Sequence, residues 1–230
     1  VRNPLTGIAA GIQYLERSTV LTDEQRESIS FILAEVDRIN RIITDLFKVA
    51  KPRDLLYQRV DLLGIIDRSR KSLSEMLDKK GIAVDVRLDE SITSVEVDPD
   101  QIMQVLINLV KNSAEAMGEG GTIVITSRRC GESDDEVPPE KGRDMFCVDV
   151  RDDGPGIDVR DRERIFEPFF SRKQGGTGLG LFVTHSIVQH HQGRITVGSD
   201  AGEGTVFRVY LPMSKPVQGG HIEAGRLAGG

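Results

Sequence analysis

The chain has 230 residues, enough for one large domain or two modest ones. Its formal net charge of −6 argues against non-specific binding to nucleic acid or to an anionic membrane, because both need clustered Lys and Arg. No apolar run approaches the ~20 residues of a membrane span, and Cys130 and Cys147, expected as free thiols, lack the spacing of a zinc site. We therefore expect a cytoplasmic protein with no nucleic-acid partner and no membrane contact within these residues. A membrane-attached region of a parent protein would lie outside them.

The first fifty residues are predicted to form two helices. Apolar residues repeat every three or four positions along the second helix, as in a heptad seam, at Ile29, Ile32, Val36, Ile39, Ile43, Leu46 and Ala50. The first helix has the same rhythm at Leu5, Ile8, Ile12, Leu15 and Thr19. Between them, Thr22 and Gln25 have the spacing of a capping box.

One narrow apolar stripe on each helix cannot close a core within a single hairpin. Pairing the hairpin with a second copy gives a four-helix bundle that can, so we expect a homodimer. The alternative is a hairpin that packs on its own C-terminal domain. Lys51-Pro52-Arg53 is expected to end the second helix and form a hinge.

The remaining sequence predicts a second domain over 59–213, after a hairpin domain over 1–51 and before a disordered tail over 214–230. Helices are expected at 61–79, at 101–117 after the start signal Asp98-Pro99-Asp100, and at 178–191. Strands are expected at 82–88, 122–129, 145–151, 193–199 and 204–211, with a mobile loop at 131–144. This order indicates an α+β protein, in which a helical hairpin precedes an α/β sandwich with a mixed sheet.

Two asparagines stand out in the predicted helix that ends at Met117. Asn108 and Asn112 are one turn apart on one face, whereas the other face is apolar. Asparagine is a poor residue for a helix interior, so two stacked amides need partners. A hydrated divalent cation with phosphate oxygens would satisfy them, since Mg²⁺ prefers oxygen ligands. Capping of neighbouring loops is the alternative.

Three glycine-containing segments follow. Asp152-Asp-Gly154-Pro-Gly156-Ile157 comes directly after an apolar strand, where a carboxylate could accept a hydrogen bond from an exocyclic amine such as that of adenine. Gly175-Gly-Thr177-Gly178-Leu-Gly180 enters a helix, so its free amides suit phosphates. It matches neither a Walker loop nor a dinucleotide fingerprint. Gly202-Glu-Gly204-Thr205 is a hairpin whose small residues could pass under a base.

In order and spacing these segments resemble the N, G1, G2 and G3 boxes of sensor histidine kinases, with Ile165-Phe-Glu-Pro-Phe-Phe170 as the F box. The resemblance covers roughly residues 1–213 and implies the GHKL type of ATP-binding domain. From the segments NSAEAM and EPFFS, the nitrogen-regulation class is the closest relative that we suggest. The cofactors that the resemblance implies are ATP and Mg²⁺.

Roles follow residue by residue from the resemblance. Asn112 would be the principal Mg²⁺ ligand, with Asn108 beside it in the metal and catalytic site. Asp152 would bind the adenine amine, and Thr205 would touch the adenine. The segment 167–177 would be the ATP lid, with Arg172 or Lys173 near the phosphates. The other implied nucleotide-binding residues are Gly154, Gly156, Ile157, Thr177, Gly178, Leu179 and Gly180.

Arg2-Asn3-Pro4-Leu5 resembles the end of the H box, which would place the phosphorylated histidine two positions before Val1. The four histidines present, His185, His190, His191 and His221, are all in the C-terminal half. As it stands the chain is therefore not expected to phosphorylate itself on the usual residue; truncation and a degenerate kinase are the two explanations. Asn3, one turn after the expected histidine, is a phosphatase candidate, or else a helix-surface amide.

The implied partner is the receiver domain of a response regulator, whose aspartate takes the phosphoryl group. Two other functions compete with the kinase. One is another GHKL-type ATPase, although those proteins carry a glutamate as base where Asn108 stands. The other is a dimeric scaffold, or pseudokinase, that binds nucleotide without turnover.

Overall fold

The structure is a computed structural model that describes residues 2–18, 21–50, 54–92, 94–130, 144–173, 176–199 and 202–214. The predicted hinge at Lys51-Pro52-Arg53, the seam position Thr19, residues 131–143 of the predicted mobile loop and the tail from 215 lie outside the described residues. The side chain of Asn3 also lies outside them, although its backbone is helical.

The N-terminal hairpin consists of α1 (Arg2–Ser18) and α2 (Asp23–Ala50), which contact each other. The predicted capping box is confirmed at the start of α2. The backbone amide of Gln25 donates to Thr22 Oγ1 at 3.3 Å, and the amide of Thr22 donates to Gln25 Oε1 at 2.9 Å. Two amides that the helix cannot satisfy are thereby paired, which fixes the point where α2 begins.

The apolar seam of this hairpin is only partly covered within one chain. Val36 is buried, whereas Ile8, Ile32 and Ile39 remain 49%, 43% and 37% exposed. Large apolar side chains at regular helical spacing rarely stay in water unless another surface covers them. The hairpin thus retains an apolar stripe.

Two short strands follow the hairpin. Strand β1 (Gln58–Val60) pairs antiparallel with β3 (Val95–Val97) in a small sheet of its own. Neither strand is predicted from the sequence, because three residues are too few to display an alternating pattern. Between them lies α3 (Leu62–Lys80), capped by the Asp61 side chain and ended by Gly81 in the left-handed conformation, with φ +63°.

The main sheet has five strands, which lie within one residue of the predicted bounds. They are β2 (Ala83–Arg87), β4 (Thr122–Arg129), β5 (Met145–Asp152), β6 (Arg194–Ser199) and β7 (Thr205–Pro212). Their order is β2-β4-β5-β7-β6, with β2 and β4 parallel and every other neighbouring pair antiparallel. The predicted α+β class with a mixed sheet is confirmed.

Two further helices lie against the sheet, α4 (Pro99–Met117) and α5 (Gly180–His190). Alternate residues of β5, among them Phe146, Val148 and Val150, share one buried core with the apolar face of α4. That face is the one expected from the sequence, comprising Ile102, Val105, Leu106, Leu109 and Val110, all at most 3% exposed. Helix α5 begins two residues after its predicted start, because Gly178 has φ +66° and cannot be helical.

The opposite face of the sheet holds a second, smaller apolar cluster of Met145, Cys147 and Tyr210. Both cysteines are free thiols, as predicted, and Cys147 is fully buried. Its thiol donates to Asp149 Oδ1 at 2.9 Å. Burial, and then this hydrogen bond, raise the pKa of the Cys147 thiol well above its usual range.

A junction around Asp98 connects the segment after the hairpin to two helices. The Asp98 carboxylate accepts from the amide of Gln101 at 3.2 Å, which caps α4, and from the amide of Leu56 at 3.0 Å. The Asp98 amide donates to Nε2 of the buried His191 at 3.1 Å. Residues just after the predicted hinge are therefore joined to the start of α4 and the end of α5.

The tautomer of His191 is fixed by its partners. Nδ1 faces the Ile187 carbonyl at 2.9 Å, which can only accept, so Nδ1 carries the hydrogen and Nε2 accepts from Asp98. The Tyr57 ring packs edge-on against the imidazole, with centroids 5.6 Å apart. Burial lowers the pKa of His191 below its ordinary value, and His190 lowers it further, against the opposing effects of the Ile187 carbonyl and Asp98.

Candidate functional site

A pocket of about 520 Å³ opens between α4, the loop after β5, the lid segment and the start of α5. Most of the predicted nucleotide-binding residues line it. They are Asn108, Asn112, Asp152, Gly156, Ile157, Arg172, Lys173, Thr177, Gly178, Gly180 and Thr205. Gly154 and Leu179 are not part of the pocket lining. Gly154 is hydrogen-bonded to Asp152, and Leu179, which immediately precedes α5, is fully buried.

Asp152 forms the deep end of the pocket and is only 3% exposed. Its Oδ2 accepts from the hydroxyl of Ser113 at 2.6 Å, and its Oδ1 accepts from the amide of Gly154 at 3.1 Å. Both carboxylate oxygens are therefore fixed by donors from two different elements. A carboxylate held in this way presents its remaining lone pairs in a defined direction.

The hairpin that carries Thr205 packs closely against the backbone of Asp152. A Cβ atom on Gly204, which has φ +86°, would lie 2.1 Å from the Asp152 carbonyl oxygen, so only glycine fits there. The hydroxyl of Ser199 accepts from the amide of Ile157 at 2.7 Å and donates to the Gly204 carbonyl at 2.8 Å. Thr205 Oγ1 lies 3.3 Å from the same hydroxyl. Ser199 thus joins two of the predicted glycine segments to each other.

The two asparagines of α4 have different surroundings. Asn108 Nδ2 donates to the Gly180 carbonyl at 3.0 Å and to Thr184 Oγ1 at 3.2 Å, while its Oδ1 accepts from Gln104 Nε2 at 2.9 Å. Asn108 therefore ties α4 to α5. The Asn112 side chain lines the pocket and forms no hydrogen bond with any other residue that the structure describes, so its amide oxygen remains available.

The start of α5 provides amides at the opposite end of the pocket from Asp152. Leu179, the residue before the helix, has no side-chain cap, so the first amides of α5 have no partner within the helix. Gly178 packs against the lid backbone, where a Cβ would lie 2.4 Å from the carbonyl carbon of Phe169. Amides at a helix start, together with the helix dipole, favour an anion.

The two predicted lid cations make different contacts. Arg172 pairs with the buried Asp161, at 2.6 Å from Nε to Oδ2 and 2.9 Å from Nη2 to Oδ1. Lys173 Nζ lies 2.8 Å from Glu115 Oε2 and 3.3 Å from the Asn112 carbonyl. Lys173 is thus adjacent to Asn112, whereas Arg172 anchors the lid segment.

At the pocket wall, hydrogen bonds from Arg160 hold the pKa of Asp158 below its usual range.

The polar residues of the site that were not assigned from the sequence include Ser113, Asp161 and Ser199. Ser113 left a signal that could have been used, since it is a polar residue on the buried face of an otherwise apolar helix. Asp161 and Ser199 left none, because each is defined by a partner from a distant or irregular segment.

The sequence of the region that forms this pocket matches a known protein family. Residues 97–215 match the family model described as "Histidine kinase-, DNA gyrase B-, and HSP90-like ATPase". The chain belongs to this family. Residues 1–55 match a second model, the "His Kinase A (phospho-acceptor) domain". These two matches confirm the prediction of a sensor histidine kinase core; kinship with the nitrogen-regulation class in particular stays a prediction.

Individual relatives agree with this assignment. The chain is 35% identical over 213 residues to the sensor histidine kinase ZraS of Salmonella typhi, covering 93% of this chain and 43% of that protein. The catalytic domain of the histidine kinase ThkA is 33% identical, with 69% of this chain and 97% of that chain covered and a TM-score of 0.59. ThkA in complex with the response regulator protein TrrA is 29% identical, with 93% and 59% covered and a TM-score of 0.68.

Full-length ShkA in complex with AMPPNP has the same fold, with a TM-score of 0.73, 24% identity, and 94% of this chain and 44% of that chain covered. The chain spans less than half the length of the curated kinases it matches. In the part of the chain that the structure describes, no helix is both long and apolar enough to cross a membrane.

Proposed function

We propose that this chain is the kinase core of a two-component sensor and that its pocket binds Mg-ATP. The observation that carries the proposal is the polarity of that pocket. One end presents the acceptor Asp152, and the other presents the free amides of α5 beside Asn112 and Lys173. An acceptor at one end and anion-binding groups at the other suit a nucleotide with an amine-bearing base and a phosphate chain.

At the base end, the buried Asp152 would accept a hydrogen bond from the exocyclic amine of adenine. Ile157 and Phe207 provide apolar surface in the same pocket, and Thr205 lies beside them. The AMPPNP complex of ShkA, which shares the fold, supports nucleotide binding.

At the phosphate end, the amides of Gly180 and its neighbours, together with Lys173, would hold the phosphate oxygens and keep the chain in line for transfer. The side chains present fit a magnesium ion, because the amide oxygen of Asn112 at this end has no partner among the residues that the structure describes. No group of three or more His, Cys, Asp or Glu side chains in the described ranges could hold a metal by itself. Asn112 and the nucleotide phosphates would therefore hold the ion, which neutralises phosphate charge when bound.

The phosphoryl acceptor would be a histidine two positions before Val1, one helical turn ahead of Asn3. A neutral imidazole is nucleophilic near neutral pH, which suits it to this role. The phosphoryl group would then pass to an aspartate of a response-regulator receiver domain, and Asn3 would orient water in the reverse, phosphatase reaction. The ThkA–TrrA complex supports a partner of this kind.

A homodimer is part of the same proposal. Helix α2 contacts α5, yet seam residues such as Ile32 and Ile39 remain exposed, so packing on the chain's own C-terminal domain leaves the stripe uncovered. A second hairpin would cover it, and the phospho-acceptor domain match over residues 1–55 supports this arrangement.

An ATPase that activates water is less well supported. Its base would occupy position 108, where an amide cannot accept a proton, and both N–H groups of Asn108 are engaged by Gly180 and Thr184. Hydrolysis should therefore be slow. A dimeric scaffold without turnover remains the other candidate, and only activity separates it from the kinase.

The metal assignment is tested with Asn112→Ala and Asn40→Ala, the same change in α2 away from the pocket. We expect Mg²⁺ to strengthen ADP binding to the wild type and to the Asn40 variant, but not to the Asn112 variant, as measured by calorimetry. Sedimentation should show the dimer unchanged in both. An undiminished Mg²⁺ effect in Asn112→Ala would refute the assignment.

The kinase assignment is tested with a longer chain that includes the residues encoded before Val1. Incubated with ATP and Mg²⁺, it should form a phosphoprotein that is labile to acid and stable to alkali. If it bound ADP but formed no such phosphoprotein, the proposed function would change from a kinase to a dimeric scaffold without turnover.

A further inference from the structure

The hydroxyl of Ser113 bonds outside its own helix, unlike those of several other helical serines that the structure describes. The hydroxyls of Ser28, Ser69 and Ser72 each donate to the carbonyl four residues earlier in their own helix, at 2.9–3.0 Å. Ser113 instead reaches 39 positions along the chain to Asp152 Oδ2, at 2.6 Å. Both partners are almost fully buried, at 1% and 3% exposure, and both line the pocket. This is the shortest side-chain contact of Asp152 with the described residues.

The direction of this hydrogen bond follows from the chemistry of the pair. A carboxylate has no hydrogen to give, so the hydroxyl hydrogen of Ser113 points at Asp152. The pair then presents only hydrogen-bond acceptors, which are the lone pairs of the serine oxygen and the remaining lone pairs of the carboxylate. This end of the pocket therefore offers acceptors and no side-chain donor from the pair.

An acceptor-only pair distinguishes between purine bases. The exocyclic amine of adenine brings hydrogens to the place where hypoxanthine and guanine bring a carbonyl oxygen. An oxygen placed there would face acceptors and leave them unpaired, which is costly in a buried site.

We infer that Ser113 is a positioning residue that, by holding Asp152 through its hydroxyl, makes the pocket select an adenine amine over a purine carbonyl. The inference rests on the proposed nucleotide function and deepens it. Ser113 acts through Asp152, so its contribution depends on whether the bound base carries an amine.

The test compares Ser113→Ala with Ser69→Ala, which removes an equally buried hydroxyl from α3, outside the pocket lining. Dissociation constants are measured for ADP, for purine riboside diphosphate, which lacks the amine, and for inosine diphosphate. In Ser113→Ala we expect ADP to bind about tenfold more weakly, as for the loss of one hydrogen bond to a charged group. Purine riboside diphosphate should change less than about twofold, and the preference for ADP over inosine diphosphate should fall. Ser69→Ala should leave all three constants unchanged.

A purely structural role of Ser113 would weaken all three nucleotides equally, and that result would overturn the inference, as would no change at all. Should the alanine variant unfold, Ser113→Cys keeps nearly the same volume with a poor donor and should show the same amine-dependent loss. Failure of the wild type to bind any nucleotide would instead refute the proposed function, so the two outcomes are distinguishable.

Discussion

Gly178 and Gly81 share nearly the same backbone conformation, with φ +66° and +63°, but differ in their surroundings. Apart from its two chain neighbours, no described residue has an atom within 4 Å of a Cβ added to Gly81, whereas at Gly178 the Phe169 carbonyl carbon would lie at 2.4 Å. We expect Gly81→Ala to cost about 1 kcal/mol of unfolding free energy, from the left-handed conformation alone. Gly178→Ala should cost more and weaken ADP binding, because the lid backbone must move.

Urea denaturation and ADP titration of both glycine variants would check this. Equal losses of stability, with ADP affinity unchanged in both, would mean that contact with the lid backbone has no effect.

The buried His191 predicts a pH dependence of stability. Its pKa is lowered in the folded state from the ordinary value of 6.5, mainly by burial, so below that pH the unfolded chain binds more protons. The contribution of His191 is therefore fully present above pH 6.5 and is lost as the pH falls towards the folded-state pKa. Unfolding free energies measured from pH 7.5 to 5.5 should decline less steeply in His191→Gln than in the wild type. Parallel curves would contradict the assignment.

The sequence alone identifies a functional residue when the residues next to it form a recognisable motif. Asp152, Gly178 and Asn112 each stand in a contiguous motif whose chemistry can be recognised. Ser113 and Asp161 act through contacts that only the fold creates. The partner of Ser113 is 39 positions away, and Arg172 is held by a carboxylate in an irregular segment without any periodic pattern. The sequence therefore predicts Arg172 near the phosphates but does not predict its ion pair with Asp161.

Among the elements, the starts of α3 and α4 offer a matched comparison. Asp61 caps α3 through the amides of Leu63 and Gly64 from an exposed position. Asp98 caps α4 and also accepts from Leu56, and it is 1% exposed. We expect Asp61→Ala to cost about 1 kcal/mol and Asp98→Ala about 2 kcal/mol or more, because the second change also removes the tie to the segment after the hairpin.

Chemical denaturation measures both losses. Proteolysis near residues 54–57 should increase in Asp98→Ala only. Equal costs and equal protection from protease would show that the Leu56 contact adds nothing to the cap.

The long elements could be predicted because their patterns are strong. An eight-residue strand or a helix with a full apolar face repeats its signal several times, and the five main strands were placed within one residue. Strands β1 and β3 could not be predicted, since three residues repeat nothing and the pairing of Gln58 with Val97 joins segments far apart in sequence. The start of α5 was missed because the positive φ of Gly178 delays the helix.

The uncovered stripe on the hairpin predicts which side chains would hold two copies together in the proposed dimer. Ile32 belongs to the heptad seam and is 43% exposed, whereas its neighbour Phe31 is 72% exposed and lies outside the seam. We expect Ile32→Asp to dissociate the dimer and Phe31→Asp to leave it intact, because only the first places a charge in the bundle core.

Sedimentation velocity at several concentrations would distinguish the two variants. A monomeric wild type, or dissociation by the Phe31 change alone, would be incompatible with the seam as the dimer interface.

The buried thiol of Cys147 can report on local opening of the sheet. Cys147 is fully buried in the central strand β5, whereas Cys130, just past the end of β4, is partly exposed. A thiol reagent should therefore modify Cys130 at once and reach Cys147 only in the moments when the strands separate. The slow labelling rate at Cys147 would report how often the nucleotide-binding domain opens locally, and how far a bound nucleotide suppresses that opening, without any engineered residue.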